Sequence, residues 1–324
     1  MASRRIRVSG NWPLVARVVV LGASGFLGSH LCDQLIARGD EVIGIDDLSS
    51  SSGANLRQLE SESRFTFLKG DIAKGIPVRG KVDAVLNFAS PASPPRYLEM
   101  PIQTLRTGSQ GTDNALQFAL ENDARFIMAS TSEVYGDPTV SPQVETYWGN
   151  VNSIGERSCY DEAKRFAEAL CMAYWREYQA NIGIVRIFNT YGPRLDPTDG
   201  RVVSNFVCQS IQGADITMYG EGTQTRSFCY IDDEIRGILA LLDSDERGPI
   251  NIGNPIEFTM LELAEIVLEL TGSKSKIVYR PLPSDDPLQR RPDITKAREL
   301  LKWEPEIELR EGLMRTIDWF RKTL

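Results

Sequence analysis

A single histidine, His30, stands in a chain of 324 residues. One imidazole excludes a metal site built on several histidines, and a Ser-His-Asp triad anywhere but around that residue. Its expected role is structural, early in a helix. Cysteine is almost as sparse. Cys32, Cys159, Cys171, Cys208 and Cys229 form no Cys-x-x-Cys and no short metal spacing, so no metal site is expected. They read as buried thiols of a reducing compartment. No apolar run is long enough to span a bilayer. Arg4, Arg5 and Arg7 ahead of Pro13-Leu14-Val15-Ala16 faintly imitate a signal peptide, but Arg17 breaks the run and no small-residue cleavage site follows. A soluble, cytoplasmic protein is expected, with residues 1–14 as a mobile leader. Positive charge is also short: 36 Lys+Arg against 44 Asp+Glu give a net charge of -8. That argues against nucleic acid or an anionic membrane as partner. Any anionic substrate must be held by a local cluster of arginines.

What is present is ordinary globular material, 42% apolar and 25% charged, enough for one large or two smaller domains. Arg17–Leu21 is a β-branched run typical of a buried parallel strand. Further apolar runs recur at Glu41–Ile45, Phe65–Leu68, Ala84–Phe88, Arg125–Ala129 and Ile182–Ile187. Helical patterns lie between several of them, notably Ile102–Asn122 and Tyr160–Tyr178. Strand alternating with helix predicts an α/β fold with a doubly wound parallel (Rossmann) sheet. After Asn189 the texture becomes turn-rich, with shorter helices at Val202–Gln212, Asp232–Leu242, Met260–Thr271 and Glu311–Phe320. The expected division is a Rossmann domain over 15–188, with later strands supplied from the C-terminal half, and a smaller α/β lobe over 189–324. No repeat or low-complexity segment is present.

Gly22-x-x-Gly25-x-x-Gly28 follows the first strand and opens a helix, so a pyrophosphate can sit close to backbone at the helix N-terminus. Asp46 ends the next strand, where an acid hydrogen-bonds the adenosine ribose and repels a 2′-phosphate. NAD is therefore favoured over NADP. Asp71, in Gly70-Asp71-Ile72, reads equally well as an adenine contact or as a plain strand-ending acid. Phe88-Ala89-Ser90 and Thr131-Ser132 end strands at the carboxyl edge, where ligands of open α/β sheets collect. Tyr160 and Lys164 sit at i and i+4 on one helix face. An ammonium there favours the phenolate and is expected to pull the tyrosine down toward the range of a general base. Alone, Tyr-x-x-x-Lys is a common surface pairing; its company gives it weight.

The glycine motif, Thr131, Tyr160 and Lys164 together resemble the extended short-chain dehydrogenase/reductase family across nearly the whole chain. Longer stretches are similar to the UDP-glucuronate decarboxylases (UDP-xylose synthases). They include Ser90-Pro-Ala-Ser-Pro-Pro-Arg-Tyr97, Ser130-Thr-Ser-Glu-Val-Tyr-Gly-Asp-Pro138 and Arg186-Ile-Phe-Asn-Thr-Tyr-Gly-Pro-Arg194. Asp199-Gly-Arg-Val-Val-Ser-Asn-Phe206, Gln224-Thr-Arg-Ser-Phe228 and Arg290-Arg-Pro-Asp-Ile294 belong to the same set. The resemblance implies Tyr160 as general base, Lys164 as its partner on the nicotinamide ribose, and Thr131 on the substrate hydroxyl. Glu133 would position the sugar or a water near C5, and Arg290 would face the substrate carboxylate and help protonate C5. Cofactor contacts are implied for Gly22, Ser24, Gly25, Phe26, Leu27, Gly28, Asp46, Asp47, Leu48, Asp71, Ile72, Phe88, Ala89, Ser90, Arg106, Tyr160, Lys164, Thr190 and Arg201. Substrate contacts are implied for Ser132, Tyr97, Asn189, Val203, Ser204, Asn205, Tyr219, Gln224, Arg226 and Arg290.

The implied activity is decarboxylation of UDP-glucuronate to UDP-xylose through a 4-keto sugar, with NAD taking and returning the C4 hydride. Ser132 supports it against a 4,6-dehydratase, which needs an acid at that position to protonate a leaving hydroxyl. The alternatives are a UDP-glucuronate 4-epimerase of the same fold and, further off, a non-catalytic NAD-binding scaffold. The chain departs from the family at Gly108-Ser-Gln-Gly-Thr112, at Asp47 and at Arg106, the first of which loses an asparagine. A homodimer is expected, joined through two helices per subunit, one of them Tyr160–Tyr178 with Cys171, Ala173 and Trp175 on its outer face.

Overall fold

A computed structural model describes residues 13, 15–282 and 289–324 of the chain. The expected leader over 1–14, Pro13 apart, lies outside the described residues. Six strands come early: β1 Arg17–Leu21, β2 Glu41–Asp46, β3 Phe65–Lys69, β4 Ala84–Asn87, β5 Arg125–Thr131 and β6 Ile182–Ile187. A seventh, β7 Ile250–Ile252, comes back from the C-terminal half to pair with β6. The order is β7-β6-β5-β4-β1-β2-β3, all parallel. Strand order reverses between β1 and β4, which opens a crevice at the carboxyl edge.

Side chains alternate across each strand, so a buried β-branched run feeds two cores. Val18, Val20, Leu86, Ile127 and Val185 belong to one apolar cluster. Val19, Leu21, Val85, Phe126, Met128 and Ile184 belong to the other. Helix α1 (Phe26–Arg38) follows β1 and stops at Gly39, whose φ of 95° is the left-handed C-cap that glycine adopts without strain. His30 on α1 is held by the Pro193 carbonyl, 3.0 Å from Nε2, as a structural residue should be.

The expected helix over 102–122 is not uniform. A short α2 (Pro94–Glu99) leads into α3 (Pro101–Arg106), and a π-helical turn at Thr107–Gly111 joins that to α4 (Thr112–Glu121). Gly108 is the reason the wider turn fits. A Cβ there would lie 2.6 Å from Ala163 Cβ, so glycine lets this segment press directly on α5 (Ser158–Tyr178). The departure seen in the sequence thus seats the helix that carries Tyr160 and Lys164.

Beyond β6 come α6 (Val202–Ile211), α7 (Ile231–Leu242), α8 (Met260–Thr271), α9 (Thr295–Leu301) and α10 (Leu309–Thr323). Thr259 and Glu262 form a reciprocal capping box at the start of α8. α10 buries Leu309, Leu313, Ile317 and Phe320, one face at helical spacing. A small sheet of Thr225–Ser227, Glu257–Thr259 and Gln289–Arg290 brings Arg226 and Arg290 into register beside each other. One expectation fails on α5: Cys171 is fully buried and cannot lie on an outer face. Its sequence position puts it in line with Ala167, with which it shares a core cluster of sheet residues; Phe166, at 50% exposed, faces out instead.

Candidate active site

The carboxyl edge opens into a cavity of about 1350 Å³. Gly22, at φ 78°, forms its floor: a Cβ there would sit 2.7 Å from Phe88 and Ala89 backbone. Gly28 packs so tightly on the turn that its Cβ would fall 2.0 Å from the Gly22 carbonyl oxygen. Helix α1 starts at Gly25 with no side-chain cap, which leaves its first-turn amides available to an anion. A diphosphate therefore fits this cradle. Asp46 accepts hydrogen bonds from the Ser24 and Leu48 amides, each at 2.9 Å, and burial pushes its carboxyl up. Asp46, Asp47, Asp71, Ile72 and Ala89 line a smaller adjoining hollow, with Phe88 and Ser90 shared between the two. Asp71 also caps the following turn through the Ala73 amide, so both of its readings have a physical basis.

Opposite the glycines, α5 presents Tyr160 and Lys164, both buried. The Tyr160 ring stacks on Tyr97 with centroids 5.2 Å apart and planes 9° from parallel. Lys164 Nζ lies 5.8 Å from that ring's centroid and donates to the Ala129 carbonyl at 2.9 Å. The expectation of a lowered phenol is not met in the protein alone. Burial, and then the Glu133 carboxylate, push Tyr160 up to about 12, while Arg201 and the Thr131 hydroxyl pull the other way. Burial disfavours the ammonium too and brings Lys164 down to about 8. Desolvation outweighs the i,i+4 attraction on which the expectation rested.

Strand β5 ends at Thr131, whose hydroxyl accepts from the Glu133 amide at 3.2 Å and starts the turn Ser132–Tyr135. Glu133 is gripped on both oxygens. Arg290 Nη1 binds Oε1 at 2.5 Å, and Arg157 Nη2 binds Oε2. Burial would lift this carboxyl, but Arg290 and then Arg157 outweigh it and hold Glu133 near 2. Glu133 is therefore a fixed anion. Arg290, 3% exposed, also donates to the Gly136 carbonyl, and its Nε finds no partner among the described residues.

The remaining wall gathers Asn189, Thr190, Arg201, Val203, Asn205, Tyr219, Gln224 and Arg226, with Ser24, Phe26, Leu27, Tyr97 and Ser132 nearby. Arg201 pairs with Asp199 at 2.8 Å, Asn189 donates to the Ser227 carbonyl, and Arg226 donates to the Thr225 carbonyl. Three expected contacts are not brought in. Ser204 is fully buried and donates to the Arg201 carbonyl, because on α6 it points about 100° away from each of its cavity-lining neighbours Val203 and Asn205. Arg106 is exposed on the outer side of α3, and Leu48 lines neither hollow. Sequence reasoning missed Arg157. Its only signal was its place three residues before Tyr160, at the N-cap of α5.

Comparison with known proteins agrees with this geometry. The NAD dependent epimerase/dehydratase family matches residues 18–253. UDP-glucuronic acid decarboxylase 1 of Arabidopsis thaliana is 53% identical over 308 residues, which are 95% of this chain and 70% of that protein. The UDP-glucuronic acid 4-epimerase of Bacillus cereus, solved with UDP-glucuronic acid and NAD, superposes with a TM-score of 0.85 at 29% identity, covering 95% of this chain and all (100%) of that one. The UDP-glucose 4-epimerase of Thermotoga maritima, solved with UDP-glucose, gives 0.86 at 30% identity over 95% of this chain and 99% of that one. No helix among the described residues is long and apolar enough to cross a membrane.

Proposed function

Because this chain belongs to the NAD dependent epimerase/dehydratase family, and within it lies close to the UDP-glucuronic acid decarboxylases, we propose that it converts UDP-glucuronate to UDP-xylose. The observation that carries the reading is the clamp of Arg157 and Arg290 on Glu133 beside Tyr160. A dehydratase needs an acid for its leaving hydroxyl, and Glu133, the carboxyl beside Thr131 and Ser132, is held ionised. A decarboxylase needs a cation for a carboxylate. Arg290 supplies a guanidinium whose Nε has no partner among the described residues.

Gly22, Ser24, Gly25 and Gly28 would hold the diphosphate of NAD, Asp46 its adenosine ribose, and Lys164 its nicotinamide ribose. Bound there, NAD supplies the acceptor and later the donor of the C4 hydride. Tyr160 takes the proton of the C4 hydroxyl, with Thr131 orienting that oxygen. Oxidation at C4 leaves the sugar's carboxylate β to a carbonyl, and CO2 departs as its electrons flow toward O4. Thr131 and the protonated Tyr160 stabilise the oxyanion that develops there. Arg290 places the carboxylate, and Glu133 keeps the arginine in position. Tyr160 returns its proton when C4 is reduced. In this account residues 15–188 carry the NAD cradle together with the catalytic Thr131, Glu133 and Tyr160, and 189–324 supply most of the nucleotide-sugar wall.

Release of labelled CO2 from carboxyl-labelled UDP-glucuronate tests the proposal; unlabelled gas with consumed substrate would refute it. The likeness to the Bacillus cereus 4-epimerase makes inversion at C4 the rival outcome. We also infer a homodimer through α3 and α5, whose touching helices leave Ile102, Leu105 and Phe166 facing outward. A cytoplasmic location fits the five buried free cysteines.

A further inference from the structure

The proposed cycle passes a hydride from C4 to NAD and returns it, so the reduced cofactor must stay in place until C4 is restored. A nucleotide that escaped midway would strand a keto sugar. Retention is therefore part of the chemistry.

Two segments from opposite halves of the chain meet beside the glycine turn. One, over residues 49–55, follows β2; the other, over 193–195, follows β6. Ser51 Oγ donates to Ser24 Oγ at 2.9 Å. Asn55 Nδ2 donates to the Ser24 carbonyl at 3.3 Å and to the Arg194 carbonyl at 3.2 Å, so one side chain ties the glycine turn to the distant segment. That segment is tied in turn to α1. His30 Nε2 lies 3.0 Å from the Pro193 carbonyl, and Arg194 Nη2 pairs with the Asp33 carboxylate. Gln58, on the helical turn Ala54–Leu59, completes the ring by donating to Asp33 Oδ1 at 2.9 Å.

The ring borders the dinucleotide seat. Ser24, Ser51, Asn55 and Arg194 line the same cavity as Gly22, Gly25 and Gly28, whereas Asp33 lines neither hollow. Arg194 is also strained. Its φ of 69° is left-handed, a region that a long side chain rarely adopts. It is held there from both ends, its carbonyl by Asn55 and its guanidinium by Asp33. Such a conformation persists only while its surroundings enforce it.

We propose that Asn55, Arg194 and Asp33 form a latch across the dinucleotide seat, which opens for NAD to enter or leave. Each of its contacts runs from protein to protein, so the latch opposes entry and exit alike. It sets the rates of exchange and leaves the affinity nearly unchanged. It takes no part in the steps at C4.

The inference rests on the NAD seat of the proposed function and not on the loss of CO2. Asp33→Ala tests it, because that change frees Arg194 and Gln58 without altering any group that lines the cavity. Asn55→Ala cuts the other arm. Each full-length variant, its folding confirmed by a cooperative thermal melt, is loaded with labelled NAD and chased with unlabelled NAD to give the release rate. Entry is followed by mixing NADH with nucleotide-stripped protein and recording its fluorescence. Release and entry should both quicken about tenfold, as loss of one charge-assisted hydrogen bond allows, while Kd stays within about twofold of wild type. Wild-type rates in Asp33→Ala would overturn the inference. Faster release with unchanged entry would overturn it too, since that marks an ordinary binding contact. A wild-type protein that takes up no NAD refutes the cofactor seat itself, whereas wild-type exchange that neither variant alters refutes only the latch. The exchange rates decide the matter whether or not CO2 is released.

Discussion

Tyr160 and Glu133 divide the chemistry between a proton that moves and a charge that does not. Tyr160→Phe removes the oxygen that takes the O4 proton in this account, so kcat should fall by about 10²–10⁴ while bound NAD is retained; steady-state turnover and cofactor content check this. Arg290→Ala leaves Glu133 with one arginine and the substrate carboxylate with none. Decarboxylation and substrate KM should suffer more than cofactor content, and equal losses in both would contradict the assignment. His30 bears on stability. Burial takes it from 6.5 down to about 4, so the folded state refuses a proton the unfolded chain accepts. Its contribution is complete above about 6.5 and is lost as pH falls toward 4. His30→Gln should flatten the acid side of the unfolding midpoint between those values, measured by thermal melts. At this scale the sequence was legible in placement wherever a motif marked a residue, as with Gly22, Asp46, Thr131 and Tyr160, all of which line the crevice. It was silent on Arg157, whose meaning depends on a carboxylate 24 positions away in the chain, and it misjudged the tyrosine because burial cannot be read from an i,i+4 spacing.

The elements that matter most are α5 and the segment packed against it. The π-turn at Thr107–Gly111 brings Gly108 onto Ala163, one residue before Lys164. Gly108→Val would drive branched carbons into that contact. Repacking should cost about 1–3 kcal/mol and shift Tyr160 and Lys164 together, so kcat should fall along with thermal stability, as melts and turnover on the same sample would report. An unchanged kcat would mean that α5 is seated by other contacts. Strand and helix positions were largely readable, because buried β-branched runs and 3.6-residue stripes are local signals. The π-turn was not: its cause is a neighbour's Cβ, not its own propensity. The Gln289–Arg290 strand was equally invisible, since two residues carry no periodicity, yet it aligns Arg290 with Arg226.

Across the whole molecule, an acidic chain gathers a local cluster of arginines in one crevice. Arg157, Arg201, Arg226 and Arg290 all line the cavity, and the glycine cradle lies across from the Tyr160–Lys164 pair. Parallel topology ends the seven strands of the main sheet at one edge, where residues from Gly22 to Thr131 converge, and the small sheet adds Arg226 and Arg290. Phe166→Asp should break the proposed α3–α5 dimer face and give a monomer in analytical ultracentrifugation; an unaltered assembly would place the interface elsewhere. The central claim joins CO2 loss to a hydride that leaves C4 and comes back. It is tested most directly with UDP-glucuronate deuterated at C4, incubated with the protein and NAD, the sugar nucleotide then read by mass spectrometry and NMR. The account predicts UDP-xylose, lighter by one CO2 and still deuterated at C4. A product of unchanged mass with C4 inverted would contradict it.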